Sequence, residues 1–406
     1  PLEGVKTFTI VPGRGVEAEI IAPEVTSVAP GDIINYTLRI TNVGDVLDTY
    51  NLSIEGADWI SLEKTSVTVE AGESKNVSIT VAPPRVCEIA PGDYQFSVIA
   101  TSSKDPTISW GGNSSASVLP FHFVETMMIP PTNIQVVPGN NLTYIYSIYN
   151  LGNVRDTFAL VYDGPPWIGT KGFVTLDACE VVNLSVVARP PKECTTEPKV
   201  YSFNITAISE GGNVSSKSGS KVEVLLFHDV ETVIVSPLNI SVEPGKNLSY
   251  TISISNLGNG VDTFELSYEG PDWITLQEHS IKLDACERKN ISLIASPPRV
   301  CTLSPGNYWF EIVATSLSNT SVQSRNHSTV TVLPYHDVKI DITWVEDRVI
   351  PGETIVYLLT IENVGNTMDE FNLTLEAPDW VTLESNSVVL GPCERANVSI
   401  IISPPR

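Results

Sequence analysis

The chain has 406 residues, 42% of them hydrophobic and 17% charged, a globular composition long enough for two to four ordinary domains. Its 47 acidic residues against 24 basic ones leave a net charge of −23, which repels nucleic acid and excludes it as a partner. No apolar run reaches the roughly 18 residues that a bilayer span needs, so a membrane anchor is expected only outside this segment.

Residues 5–12 (VKTFTIVP) read as the last strand of a preceding or neighbouring domain, to which residues 1–14 are assigned. A first unit, 15–120, opens with the strand VEAEIIAP from Val16, a Pro-Gly-Asp turn and a second strand, INYTLRIT. The NVGD turn leads into a third strand, DTYNLSI, and then a Trp-bearing segment. A fourth strand, SVTVE, an Ala-Gly-Glu turn and a fifth strand, KNVSITVAP, come next. The loop PPRVCEIAPGD (the proline loop below) leads to a sixth strand, YQFSVIATS, and a seventh, SASVLP. The apolar period is two throughout, and seven short strands with Gly/Pro-rich turns spell an all-β, immunoglobulin-like Greek-key sandwich. In the fifth strand Val77, Ile79 and Val81 alternate with Asn76, Ser78 and Thr80, which puts Asn76 on the solvent face.

The unit repeats. TNVGDVLDTYNLSIEGADWISL, from Thr41, returns as YNLGNVRDTFALVYDGPPWIGT, SNLGNGVDTFELSYEGPDWITL and ENVGNTMDEFNLTLEAPDWVTL. Trp59, Trp167, Trp273 and Trp380 mark the copies at spacings of 108, 106 and 107, and Asn76, Asn183, Asn290 and Asn397 step by 107. That period suits a small sandwich and not a solenoid, whose repeats run about 20–50 residues. Further units therefore cover 121–227, 228–335 and 336–406, stacked head to tail, the last without its final two strands. With no initiator Met or signal peptide at Pro1, the segment reads as processed or truncated: a window from a longer array, or an array whose last domain a neighbouring chain completes.

Two cysteine positions recur: Cys179, Cys286 and Cys393 in the turn before the fifth strand, where the first unit has Gly72, and Cys87, Cys194 and Cys301 in the proline loop. Cys286 and Cys301 bracket a fifth strand about 30 Å long, whereas a disulfide needs Cα atoms within roughly 7 Å. The local pair is excluded. Head-to-tail stacking brings each proline loop to the cysteine turn of the next unit, giving Cys87–Cys179, Cys194–Cys286 and Cys301–Cys393, each 92 residues apart. A second covalent tether per junction stiffens the array into a rod on the order of 150 Å.

Fifteen Asn-x-Ser/Thr sequons (Asn35, Asn51, Asn76, Asn113, Asn141, Asn183, Asn204, Asn213, Asn239, Asn247, Asn290, Asn319, Asn326, Asn372 and Asn397) and an even cysteine count point to an extracellular protein with N-linked glycans. The turn N-x-G-[DN]-x-x-D recurs as Asn42/Gly44/Asp45/Asp48, Asn150/Gly152/Asn153/Asp156, Asn256/Gly258/Asn259/Asp262 and Asn363/Gly365/Asn366/Asp369. Turn chemistry accounts for it, with Gly supplying positive φ; calcium on Asp45, Asp48, Asp156, Asp262 and Asp369 is the alternative. His122, His228 and His336 share one linker position, as packed residues or as ligands of a bridging metal, but no zinc spacing accompanies them. The recurrent Trp is read as core and not as a sugar platform. No G-x-S-x-G elbow and no singular carboxylate pair appear, so neither a catalytic site nor a small-molecule substrate is expected.

The string N-x-G-[DN]-x-x-D-[TE]-[YF]-x-L, then W-[IV], G-E-S-x-N-V-S-I-T-V and P-G-x-Y-x-F, resembles the Ig-like repeats of archaeal and bacterial cell-surface proteins. Among these is the module found beside NPCBM domains in alpha-galactosidase-type enzymes. The resemblance implies a stalk, spacer or surface-layer building block, and the family does not require the two cysteines. The expectation is a structural, glycosylated cell-surface rod that assembles with copies of itself in a surface layer, sheath or filament. An adhesin stalk with its tip elsewhere and the spacer of a surface hydrolase are the alternatives.

Overall fold

The computed structural model describes residues 11–237, 239–343 and 348–406; most of the expected leading strand, residues 1–10, lies outside them. The chain divides into two compact units, one running to residue 136 and including 140–190 and 200–223, the other comprising 137–139, 191–199 and the chain from 224 onward.

The first sandwich contains nine strands: β1 (Val16–Ile21), β2 (Ser27–Val28), β3 (Ile34–Asn42), β4 (Asp48–Glu55), β5 (Ile60–Leu62), β6 (Ser66–Val69), β7 (Ser74–Val81), β8 (Gly92–Ser102) and β9 (Ser109–Val118). One sheet has the order β1-β3-β7-β5, the other β2-β9-β8-β4-β6. This is the expected sandwich with two additions. The single first strand splits at Ala22-Pro23, because proline cannot donate to the ladder. Then β1 pairs antiparallel with β3, while β2 crosses to the other sheet and runs parallel to β9. The Trp segment supplies the second addition, β5, on the edge beside β7. The Pro30-Gly31 turn between β2 and β3 closes with the Asp32 amide on the Ala29 carbonyl at 2.9 Å, Gly31 taking φ of 95°.

The last strand is longer than its sequence suggested, reaching back to Ser109 through Gly111 and Gly112. Those glycines are strand and not turn: the Trp110 ring lies over Gly112, where a Cβ would come within 2.2 Å of it. The core between the sheets is Tyr36, Leu38, Ile40, Tyr50, Val77, Ile79, Phe96 and Val98, all 2% exposed or less. Tyr36 meets Phe96 edge-on at 5.3 Å and donates its hydroxyl to the Ser115 carbonyl at 2.7 Å, so its polar tip is satisfied. In β7, Val77, Ile79 and Val81 point into this core and Asn76 faces solvent, as the alternation predicts.

The second and third sandwiches repeat both sheet orders. The fourth has the four-stranded sheet (Val338–Thr343, Ile355–Asn363, Arg395–Ile402 and Val381–Leu383) and a two-stranded one, Asp369–Asn372 with Ser387–Leu390. Tyr357, Leu359 and Ile400 are each 8% exposed there, where Tyr36, Leu38 and Ile79 of the first sandwich are at zero.

Candidate functional site at the sandwich ends

The asparagine turn and the turn before the fifth strand lie together at one end of each sandwich, and the recurrent Trp and the proline loop lie at the other end of that strand. Cys87 bonds Cys179 in the first unit, and Cys194–Cys286 and Cys301–Cys393 form in the second, the three pairs expected from the order of loops and turns along the sequence. Cys179, Cys286 and Cys393 sit in the left-handed region, with φ of 63°, 62° and 61°. Gly72, at the same place in the first sandwich, has φ of 77°. A side chain in that region costs about 1–2 kcal/mol, so glycine is the residue the turn itself favours. The amides of Gly72, Cys286 and Cys393 donate to the carbonyls of Asn42, Asn256 and Asn363 at 2.8, 3.1 and 2.9 Å, which fastens each turn to the asparagine motif.

That asparagine is wholly buried in all four sandwiches. Asn42 donates through Nδ2 to the carbonyls of Val46 and Val69 and accepts the Gly44 amide on Oδ1, and Asn150, Asn256 and Asn363 repeat the pattern. Turn chemistry is therefore its role. The glycine two residues on does something other than expected. Gly44, Gly152, Gly258 and Gly365 do not have positive φ. A Cβ at any of them would come within 2.7 Å of a carbonyl of the linker that enters the sandwich (Gly13, Phe121, Phe227 and Tyr335), so close approach of two backbones selects glycine.

The next motif position separates the first sandwich from the rest. Asn153, Asn259 and Asn366, 1–3% exposed, accept the amides of Phe121, Phe227 and Tyr335 at 2.7–2.8 Å. Through Nδ2 they donate to the carbonyls of Leu119, Leu225 and Leu333 at 3.1–3.2 Å. Asn153 and Asn259 also donate into the proline loop, to Ile89 at 3.0 Å and Thr196 at 2.9 Å. One amide thus clamps the linker at two points and the loop beside the disulfide at a third. The first sandwich carries the exposed Asp45 here, and a carboxylate offers no such donor.

The last motif aspartate binds the linker histidine. His122, His228 and His336 approach Asp156, Asp262 and Asp369 through Nδ1 at 2.7–2.8 Å; facing a carboxylate, Nδ1 is the donor. Arg14 takes the histidine's place on Asp48, at 3.0 Å. Serine hydroxyls complete the shell: Ser102 on Asp48 at 2.6 Å, Ser209 on Asp156 at 2.5 Å and Ser316 on Asp262 at 2.6 Å. Burial works to raise these three carboxyls, but the serine donors together with the arginine or histidine outweigh it and hold them below the usual aspartate value. The aspartates offered for calcium are thus engaged by protein donors, apart from Asp45. The histidines are linker residues with a carboxylate partner that sequence reasoning did not assign.

A further contact went unread in the sequence. The proline-loop cation covers the aromatic residue before each histidine: Arg85 lies 5.5 Å from the Phe121 ring centre, Lys192 5.6 Å from Phe227 and Arg299 5.1 Å from Tyr335. The signal was available in the 107-residue recurrence of PPR, PPK and PPR ahead of the cysteines.

The recurrent Trp lies at the core margin and not inside it: Trp59, Trp167 and Trp273 meet Tyr94, Tyr201 and Tyr308 edge-on at 4.9–5.3 Å, and Trp380 is 38% exposed. Of the fifteen sequon asparagines thirteen are exposed, while Asn204 and Asn326 are half-buried. Asn326 donates its side-chain amide to the Thr232 carbonyl at 3.0 Å, so a glycan there would displace a hydrogen bond.

No family model and no curated protein matches the chain. Similar solved structures include protocadherin gamma B2 extracellular cadherin domains 3–6, at 12% identity over 96% of this chain and 92% of that one, with a TM-score of 0.38. Protocadherin gamma B7 extracellular cadherin domains 1–4 give 14% identity over 87% and 84%, TM-score 0.36. Mouse cadherin-23 EC22–24 gives 15% over 79% and 99%, TM-score 0.37.

Proposed function

We propose that the chain is a non-catalytic structural or adhesion-type protein of the extracellular space, built to hold successive β-sandwiches in fixed register. The observation that carries this reading is the concentration of a disulfide, an asparagine clamp and a cation–aromatic contact on the short linkers. Two domains on a single peptide linker swivel by default. Three further ties per linker oppose that motion, and the disulfides favour an oxidising compartment. The more specific form is a glycosylated rod in a surface layer, sheath or filament, assembled from copies of the chain. It rests on the acidic surface and the exposed sequons, and the adhesin stalk and hydrolase spacer remain its competitors.

Small-angle scattering of the purified chain, before and after reduction, tests the mechanical part. An extended particle on the order of 150 Å that bends when the disulfides open is expected. A profile unchanged by reductant would overturn the proposed function of the staples. Imaging of native surfaces, with sedimentation of the pure chain, separates polymer or lattice from isolated stalk.

A further inference from the structure

The three cation sites on the proline loops differ at one position. Lys192 meets the Asp229 carboxylate at 3.0 Å, and Arg299 meets that of Asp337 at 3.1 Å. Both aspartates directly follow the linker histidine; after His122 the residue is Phe123. The Arg85 guanidinium therefore lies between two rings, 5.5 Å from Phe121 and 5.6 Å from Phe123. Among the described residues no carboxylate comes within 4.0 Å of it. A pocket of about 450 Å³ opens beside it, with Val86, Leu151 and the two phenylalanines as its apolar wall and Glu88 as its other charge.

We propose that this pocket binds a monocarboxylate carried on an apolar body the size of a single ring. The Asp229 and Asp337 sites show that a cation at this place on the loop is within reach of a carboxylate lying next to the covered aromatic ring. With the chain's own carboxylate replaced by Phe123, an external one takes that position and Arg85 donates to it. The phenylalanines, Leu151 and Val86 hold the body by burial of apolar surface. Glu88 and the net charge of −23 repel any anion, a dianion about twice as strongly as a monocarboxylate, so contact of the apolar body with the rings has to supply part of the affinity.

Calorimetric titration of the full, disulfide-intact chain with phenylacetate, acetate and benzylamine tests the site. Phenylacetate is expected to saturate one site per chain, acetate to bind at least about tenfold more weakly, and benzylamine to give no heat of binding. Arg85→Gln should weaken phenylacetate about tenfold or more. Arg85→Lys, which copies the Lys192 site, should keep binding and so control for folding. F123D supplies the internal carboxylate of the other two sites and should close the pocket with no loss of thermal stability. Absence of saturable phenylacetate binding, or F123D binding phenylacetate as tightly as the native chain, would overturn the assignment.

Discussion

The entry end of the first sandwich and those of the other three are built on one backbone plan and carry different side chains. All four have the buried asparagine, the close-approach glycine and the carboxylate that receives a cation or an imidazole. Only the later three add the cysteine in the left-handed turn and the amide that clamps the linker, which in Asn153 and Asn259 also reaches into the loop before it; the first has Gly72 and Asp45. The shared set makes the sandwich, and the variable set couples it to what precedes. A cysteine with φ near 62° stabilises nothing locally, so what accounts for it is the bond it makes.

That division can be broken in four ways, the largest effect first. Replacing Cys194 and Cys286 together by Ser opens a bond between residues 92 apart and should lower stability to denaturant by about 2–4 kcal/mol. An unchanged midpoint would make the staple ornamental. Asn259→Asp puts a carboxylate where an amide donates to Thr196 and Leu225, and should cost about 2–3 kcal/mol in the same measurement. The matching change in the first sandwich, Asp45→Asn, should stay within about 0.5 kcal/mol, and equal effects at the two positions would erase the difference between the first sandwich and the third.

Acid probes the shared set. The carboxyls of Asp48, Asp156 and Asp262 are held below their ordinary value when folded, so their contribution is complete above the unfolded-state value of about 4. It is lost as pH falls through the lower, folded-state values. Melting temperatures followed downward from pH 6 should hold steady until about pH 4 and then drop. In the Asp156→Asn/Asp262→Asn chain that drop should be shallower. A loss centred near neutrality would mean that other groups dominate. The last concerns the turn alone: in a Cys194→Ser background, Cys286→Gly should be about 1 kcal/mol more stable than Cys286→Ser, since glycine carries no left-handed penalty. If serine proved the better residue there, backbone strain would not be the reason for Gly72.

Much of the fold was legible because its signals are periodic. Alternation along RKNISLIA, Arg288–Ala295, marks one buried face, and the length of that strand is what separates Cys286 from Cys301. The sheet switch between β1 and β2 was not legible, since a two-residue strand leaves no period to read and only Pro23 marks the break. The asparagine clamp was hidden by its neighbour: Asn150 and Asn153 are the same letter in the same turn, yet one closes the turn and the other leaves it. Turn chemistry asks for positive φ at Gly44, yet what the residue provides is clearance for the Gly13 carbonyl, a tertiary fact. The Arg85–Phe121 contact joins residues 36 apart that no local pattern links.

The disulfides also change what a cut would do. Cys87–Cys179 spans the linker around Phe121–Phe123, Cys194–Cys286 spans that around Phe227–Asp229, and Cys301–Cys393 spans that around Tyr335–Asp337. A protease that cleaved any one of these linkers would leave its two products on one covalent molecule, separable only after reduction. Each linker is thereby made redundant as the connection between its neighbours, and continuity under an oxidising medium requires two breaks where an ordinary tandem chain fails at one.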